Sequence, residues 1–162
     1  MFGAPGTTEK GLRAVRGYLE SLGIPPDQVE LVNGSGLSRQ IRLRPSHLNA
    51  VLVDMYHDPL LAPEFLAALS VSGVDGTLRR RFDDDTEVAR VRGKTGSLNG
   101  VYCLAAYAHA ADGEVYAFSF LVNGHRRSGP VRALHDAFGA ALLAVDATTT
   151  ARPEGVATDR SQ

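Results

Sequence analysis

Lys94-Thr95-Gly96 is the tripeptide in this chain whose residue types best suit an anionic, extended ligand. Lys94 supplies a point charge for a carboxylate. Thr95 supplies a hydroxyl that can donate to the same group. Gly96 has no side chain, so a ligand backbone can come close to the strand. The three residues close a segment that reads as a strand, and a strand edge offers N–H and C=O groups to a peptide. By itself the tripeptide is weak evidence, since it arises by chance in a chain of this length on the order of a few per cent of the time. On the tripeptide alone, an exposed lysine before a turn is the better reading.

The other reactive residues form no comparable pattern. His47, His57, His109, His125 and His135 show no H-E-x-x-H and no paired Cys/His spacing, so neither a metal nor a cofactor is expected. Cys103 is the only cysteine, which excludes an intramolecular disulfide and leaves the compartment open. It sits in the apolar run Val101 to Ala108 and reads as a small buried hydrophobe. The 17 basic and 18 acidic residues nearly cancel, and Arg79-Arg80-Arg81 is followed at once by Asp83-Asp84-Asp85. Nothing electrostatic therefore points to nucleic acid or to a membrane surface. No run approaches the length of a membrane span, and Met1 to Lys10 has no apolar stretch suited to a signal peptide.

The elements that must position the tripeptide follow from periodicity. Leu12, Val15, Leu19 and Leu22 recur at helical spacing over residues 9–22, ended by Gly23 and Pro25-Pro26. Val29 to Val32 reads as a short strand. Pro45 opens a second helix with Leu48, Val51, Leu52 and Met55 on one face, and Pro63 opens a short third. Residues 70–85 are polar and glycine-containing. Strand periodicity then covers Glu87 to Leu98, Val101 to Ala110 and Glu114 to Asn123, with Asp112-Gly113 marking a hairpin. Pro130 opens a last helix with Val131, Leu134, Phe138 and Leu142 on one face. Helices, then a meander, then a covering helix make an α+β fold. A flexible segment is expected over residues 1–8, one folded unit over 9–145 and a disordered tail over 146–162.

Three blocks together carry a resemblance. Asn33-Gly34-Ser35-Gly36-Leu37-Ser38-Arg39 resembles the DGSGLSR segment of the penicillin-binding D-alanyl-D-alanine carboxypeptidase/endopeptidase family. Gly73-Val74-Asp75-Gly76-Thr77-Leu78 with Arg81 resembles its G-x-D-G-[ST]-L-x-x-R segment. Val91 to Val101 resembles its K-T-G strand and the following turn, K-T-G being part of the signature of serine penicillin-binding enzymes. The blocks keep the family's order and approximate spacing over residues 9–143.

The resemblance implies the C-terminal portion of a penicillin-binding, transpeptidase-like domain, with an antiparallel sheet and helices. It implies that Lys94 and Thr95 hold the terminal carboxylate of a peptidoglycan stem peptide, with Gly96 between them and Ser97. The Ser97 N–H would be one oxyanion-hole donor. Arg39 would face the diamino-acid side chain, Asn99 and Thr77 would touch substrate, and β-lactams would occupy the same cleft. The parent enzyme would be periplasmic or otherwise extracytoplasmic.

The match stops short of catalysis. No serine in the chain has a lysine three residues on, and the one S-x-N tripeptide, Ser97-Leu98-Asn99, lies within the K-T-G block and is no separate motif ahead of it. Asn33 also stands where the family has Asp. The expectation is therefore a C-terminal fragment, inactive alone, with exposed apolar surface and marginal stability. The alternative is a non-catalytic module that binds peptidoglycan peptides or complements a separately made N-terminal half.

Overall fold

A computed structural model describes residues 4–146. Helix α1, Thr8–Ser21, starts where the Thr7 hydroxyl accepts the Lys10 N–H at 3.2 Å. Its apolar stripe is shallow: Leu19 is buried, whereas Val15 is largely exposed. Helix α2, Pro45–His57, begins with proline in its first turn, where the missing N–H costs nothing. Helix α3, Ala62–Ala67, follows and again has proline at its start.

One sheet organises the rest. Strand β1, Ser70–Val71, is followed by β2, Val91–Leu98, β3, Val101–His109, and β4, Val115–Asn123, paired antiparallel in the order β1-β2-β3-β4. Helix α4, Ser128–Leu143, closes the chain's described part. The α+β class and the meander expected from sequence are both present. Two strand expectations shorten. Val29 to Val32 makes only one bridge, Glu30 with Arg42, because the chain turns away at Asn33 to Gly36. Residues 87–90 fold as turns, with the Glu87 and Val88 N–H groups on the Asp84 carbonyl and Ala89 at φ 62°. Strand β1, in contrast, lies in a segment without strand periodicity. The expected tail lies outside the described residues beyond Asp146.

Alternation divides the sheet into two faces. One face packs on α4 through Leu78, Phe82, Val91, Leu104, Ala106, Ala108, Phe118 and Leu143. The buried stripe of α4 is Val131, His135, Gly139 and Leu143, one residue round from the expected stripe. Leu134 and Phe138 stay largely exposed. The reason is steric. Phe82 fills the space where a Cβ at residue 139 would stand, so only glycine lets the helix approach this closely. His135 then stacks on Phe120 at 4.7 Å, ring to ring.

The other face carries α2 and α3. Leu52, Leu69 and Tyr107 form its core. The Tyr107 hydroxyl donates to the Leu52 carbonyl, and burial pushes its pKa up to about 12. Ser119 of β4 donates to the Pro45 carbonyl at 2.8 Å and so ties down the start of α2.

Candidate functional site

Strand β1 is only two residues long, pairing Ser70 with Gly93 and Val71 with Arg92. Beyond Gly93, no other described strand lies along the outer edge of β2. The phase of that edge is set by the Ser72 N–H, which donates to the Val91 carbonyl at 2.9 Å. Odd-numbered residues of β2 therefore aim their backbone groups outward, and even-numbered ones bond to β3. Thr95 and Ser97 thus present N–H and C=O at an open edge. At this edge the sheet offers a peptide outward-facing backbone groups beside the Lys94 cation.

Side chains bracket this edge. Lys94 and Gly96 project on the α2 face, Thr95 and Ser97 on the α4 face. The Lys94 ammonium curls over the edge and donates to the Thr95 carbonyl at 2.6 Å. Beneath it, the Thr95 hydroxyl lies 2.9 Å from the Thr77 hydroxyl. Lys94, Thr95 and Thr77 therefore converge, although Thr77 is 18 residues away in sequence. Gly96 turns its α-carbon toward Cys103, whose Cβ would stand 3.3 Å from a Cβ placed at 96. The glycine thus also clears space on the inner face of the sheet.

The loop bearing Thr77 is a tightly bonded knot. The Asp75 carboxylate accepts the Val71 N–H at 2.7 Å, and Ser70 Oγ accepts the Thr77 N–H at 3.3 Å. Ser72 is fully buried; its hydroxyl donates to the Glu87 carbonyl and accepts the Val91 N–H. Arg81 closes the knot on α4 with two bonds to Asp136, at 2.9 and 2.6 Å. Sequence reasoning named Thr77 but missed Ser70 and Ser72. The segment is too short for periodicity to have marked them.

Arg39 and Asn99 meet at the other end of β2. The Arg39 guanidinium donates to the Asn99 main-chain carbonyl in the turn joining β2 to β3. Arg39 is thereby a clasp on that turn, and it does not bond to the Lys94 group. Cys103 is half-buried, and burial raises its thiol pKa, in keeping with a slowly reacting thiol. It sits between two cavities on the α2 face. One, of about 470 Å³, is lined by Leu48, Val51, Phe65 and Leu69 and reaches Lys94. The other, of about 550 Å³, lies under Arg39 among Ile41, Leu43, Leu98 and Leu121. Among the described residues no helix is long and apolar enough to cross a membrane.

The fold is that of penicillin-binding structures. It superposes on penicillin binding protein 4 (dacB) from Haemophilus influenzae, solved with a β-lactam, with a TM-score of 0.74 and 30% identity. The alignment covers 87% of this chain and 34% of that one. The chain belongs to the D-Ala-D-Ala carboxypeptidase 3 (S13) family, whose model matches residues 1–141. It is 35% identical to the D-alanyl-D-alanine carboxypeptidase DacB of Haemophilus influenzae over 75% of its own length. It is 34% identical to a D-alanyl-D-alanine carboxypeptidase of an Actinomadura species over 85%. In each case it spans 26% of the relative's length.

Proposed function

We propose that this chain is the substrate-holding portion of a serine-type D-Ala-D-Ala carboxypeptidase that acts on peptidoglycan stem peptides. The supporting observation is the open edge of β2, with Lys94 above it and the Thr95–Thr77 pair below. A D-Ala-D-Ala terminus is an extended peptide ending in a carboxylate. Its backbone would pair with Thr95 and Ser97, and its carboxylate would meet Lys94 and Thr95. The Ser97 N–H would donate to the oxyanion of the scissile carbonyl. Arg39, through its hold on the Asn99 turn, would border the side-chain end of the same groove. β-Lactams, which mimic the peptide, would occupy this edge. The parent enzyme would work in an extracytoplasmic space.

The nucleophile would come from outside these residues. None of the chain's serines stands in an S-x-x-K, so none has the neighbouring lysine base that acylation requires. A second reading, a module that complements a separate N-terminal half, is favoured by the apolar cavity flanking Lys94. A fluorescent penicillin incubated with the purified chain and run on a denaturing gel separates activity from holding. We expect no labelled band at the chain's mass. A band there would show a working nucleophile and overturn the proposal.

A further inference from the structure

From the Thr77–Thr95 hydroxyl pair we infer that Thr77 is a positioning residue: it sets the direction of the Thr95 proton and does not touch the ligand itself. This rests on the reading of Thr95 as a carboxylate donor. Three observations carry it. The two hydroxyl oxygens lie 2.9 Å apart, on the α4 side of the β2 edge. Thr77 is fixed by its own main chain, because its N–H donates to Ser70 Oγ at 3.3 Å. Ser70 is in turn paired to Gly93, one residue before Lys94. The distance between the two hydroxyls is therefore set through β1 by the strand that carries Thr95.

Gly76 makes that arrangement reachable. A Cβ at this position would overlap the Ser70 hydroxyl, and its φ of +52° suits glycine. The main chain can therefore fold over Ser70 and deliver Thr77 to the strand. Asp75 secures the other side of the turn through the Val71 N–H, at 2.7 Å.

A hydroxyl has one proton and two acceptor lone pairs. In the ligand-free arrangement Thr95 donates to Thr77. When a carboxylate arrives, the pair reverses. Thr77 then donates to Thr95 Oγ1, and the Thr95 proton turns to the anion. The Thr95 side chain keeps one rotamer throughout, so the anion meets a donor already in place. A valine at position 77 keeps the shape and removes this partner. A serine restores it.

The experiment uses the full chain, with N-acetyl-D-alanyl-D-alanine as the probe, followed by NMR. Before ligand is added, three-bond couplings report the Thr95 rotamer. We expect one rotamer in the wild type and in Thr77→Ser, and averaging in Thr77→Val. On titration, Thr77→Val should bind about tenfold more weakly, as suits a charge-assisted bond that loses its orienting partner. Thr77→Ser should bind within about twofold of wild type. A single Thr95 rotamer in Thr77→Val, or wild-type affinity there, overturns the inference. Absence of binding by the wild type would sink the proposed function instead, and the rotamer measurement would still decide the positioning role.

Discussion

The two faces of the sheet are finished to different degrees. On the α4 face, Val91, Leu104, Ala106 and Ala108 are fully buried, and the covering helix comes close enough to need a glycine at position 139. On the α2 face, the packing around Leu52, Leu69 and Tyr107 gives way toward the end of β2 to two cavities that share Cys103. Leu37 and Leu60 are exposed, at 72% and 82%. The closed face supplies cohesion. The open face borders Lys94, where the proposed ligand needs room. The tight core lies on one face of the sheet, whereas the proposed site straddles the β2 edge, with Lys94 on the open face and Thr95, Ser97 and Thr77 on the closed one.

The largest test of that contrast is truncation on each side. Leu104→Ala should cost about 3 kcal/mol, because a fully buried leucine leaves a cavity in a tight core. Leu121→Ala, beside the open cavity, should cost about 1 kcal/mol. Urea unfolding of both variants measures the difference, and equal costs would erase the distinction. Arg81→Ala comes next. It removes an ion pair in which two guanidinium N–H groups share one Asp136 oxygen and the arginine side chain is only 10% exposed, leaving Asp136 partly buried without its partner. With allowance for the more exposed aspartate, the expected loss is about 2 kcal/mol. Fraying of the Thr77 loop should accompany it in hydrogen exchange.

A pH dependence sharpens the closed side further. His135 is 1% exposed, and neither ring nitrogen has a hydrogen-bond partner among the described residues. Burial chiefly, and then the Arg81 charge, lower its pKa; Asp136 opposes them. The folded state therefore binds this proton less readily than the unfolded state. Its contribution to stability is complete above the unfolded value of 6.5 and is lost as pH falls from there toward the lowered folded value. His109 is shifted the same way by burial and by Arg92 and Arg90, so it adds to the slope. Denaturant midpoints between pH 7 and 5 should fall in the wild type and fall less in His135→Phe. An unchanged slope would assign the effect elsewhere.

The smallest effect probes the open side. Cys103 should react with a thiol reagent in the folded chain, slowly at neutral pH because its pKa is raised. The rate should not change with urea below the unfolding transition. A rate that tracks unfolding would mean that this face is closed after all.

The sequence exposed some of this better than the rest. Strands β2, β3 and β4 were readable because each spans several periods of alternation, and the Asp112-Gly113 turn fixed their hairpin. Strand β1 was not, since two residues contain no period, yet its shortness is what leaves the edge open at Lys94. The stripe of α4 was misplaced by one residue, because hydrophobicity alone ranks Leu134 and Phe138 above His135 and Gly139. Close packing against Phe82 decides otherwise. Lys94 and Thr95 were legible as a motif. Their approach to Thr77 depends on main-chain bonds of Ser70 and Asp75 that no periodicity encodes.

The most direct measurement is an NMR titration of the 162-residue chain with N-acetyl-D-alanyl-D-alanine, read at the backbone amides. Saturable shifts should concentrate on Thr95 and Ser97, whose N–H groups face the open edge, and Lys94→Ala should abolish them. Shifts that survive Lys94→Ala, or that fall elsewhere on the sheet, would contradict a substrate-holding role for this edge.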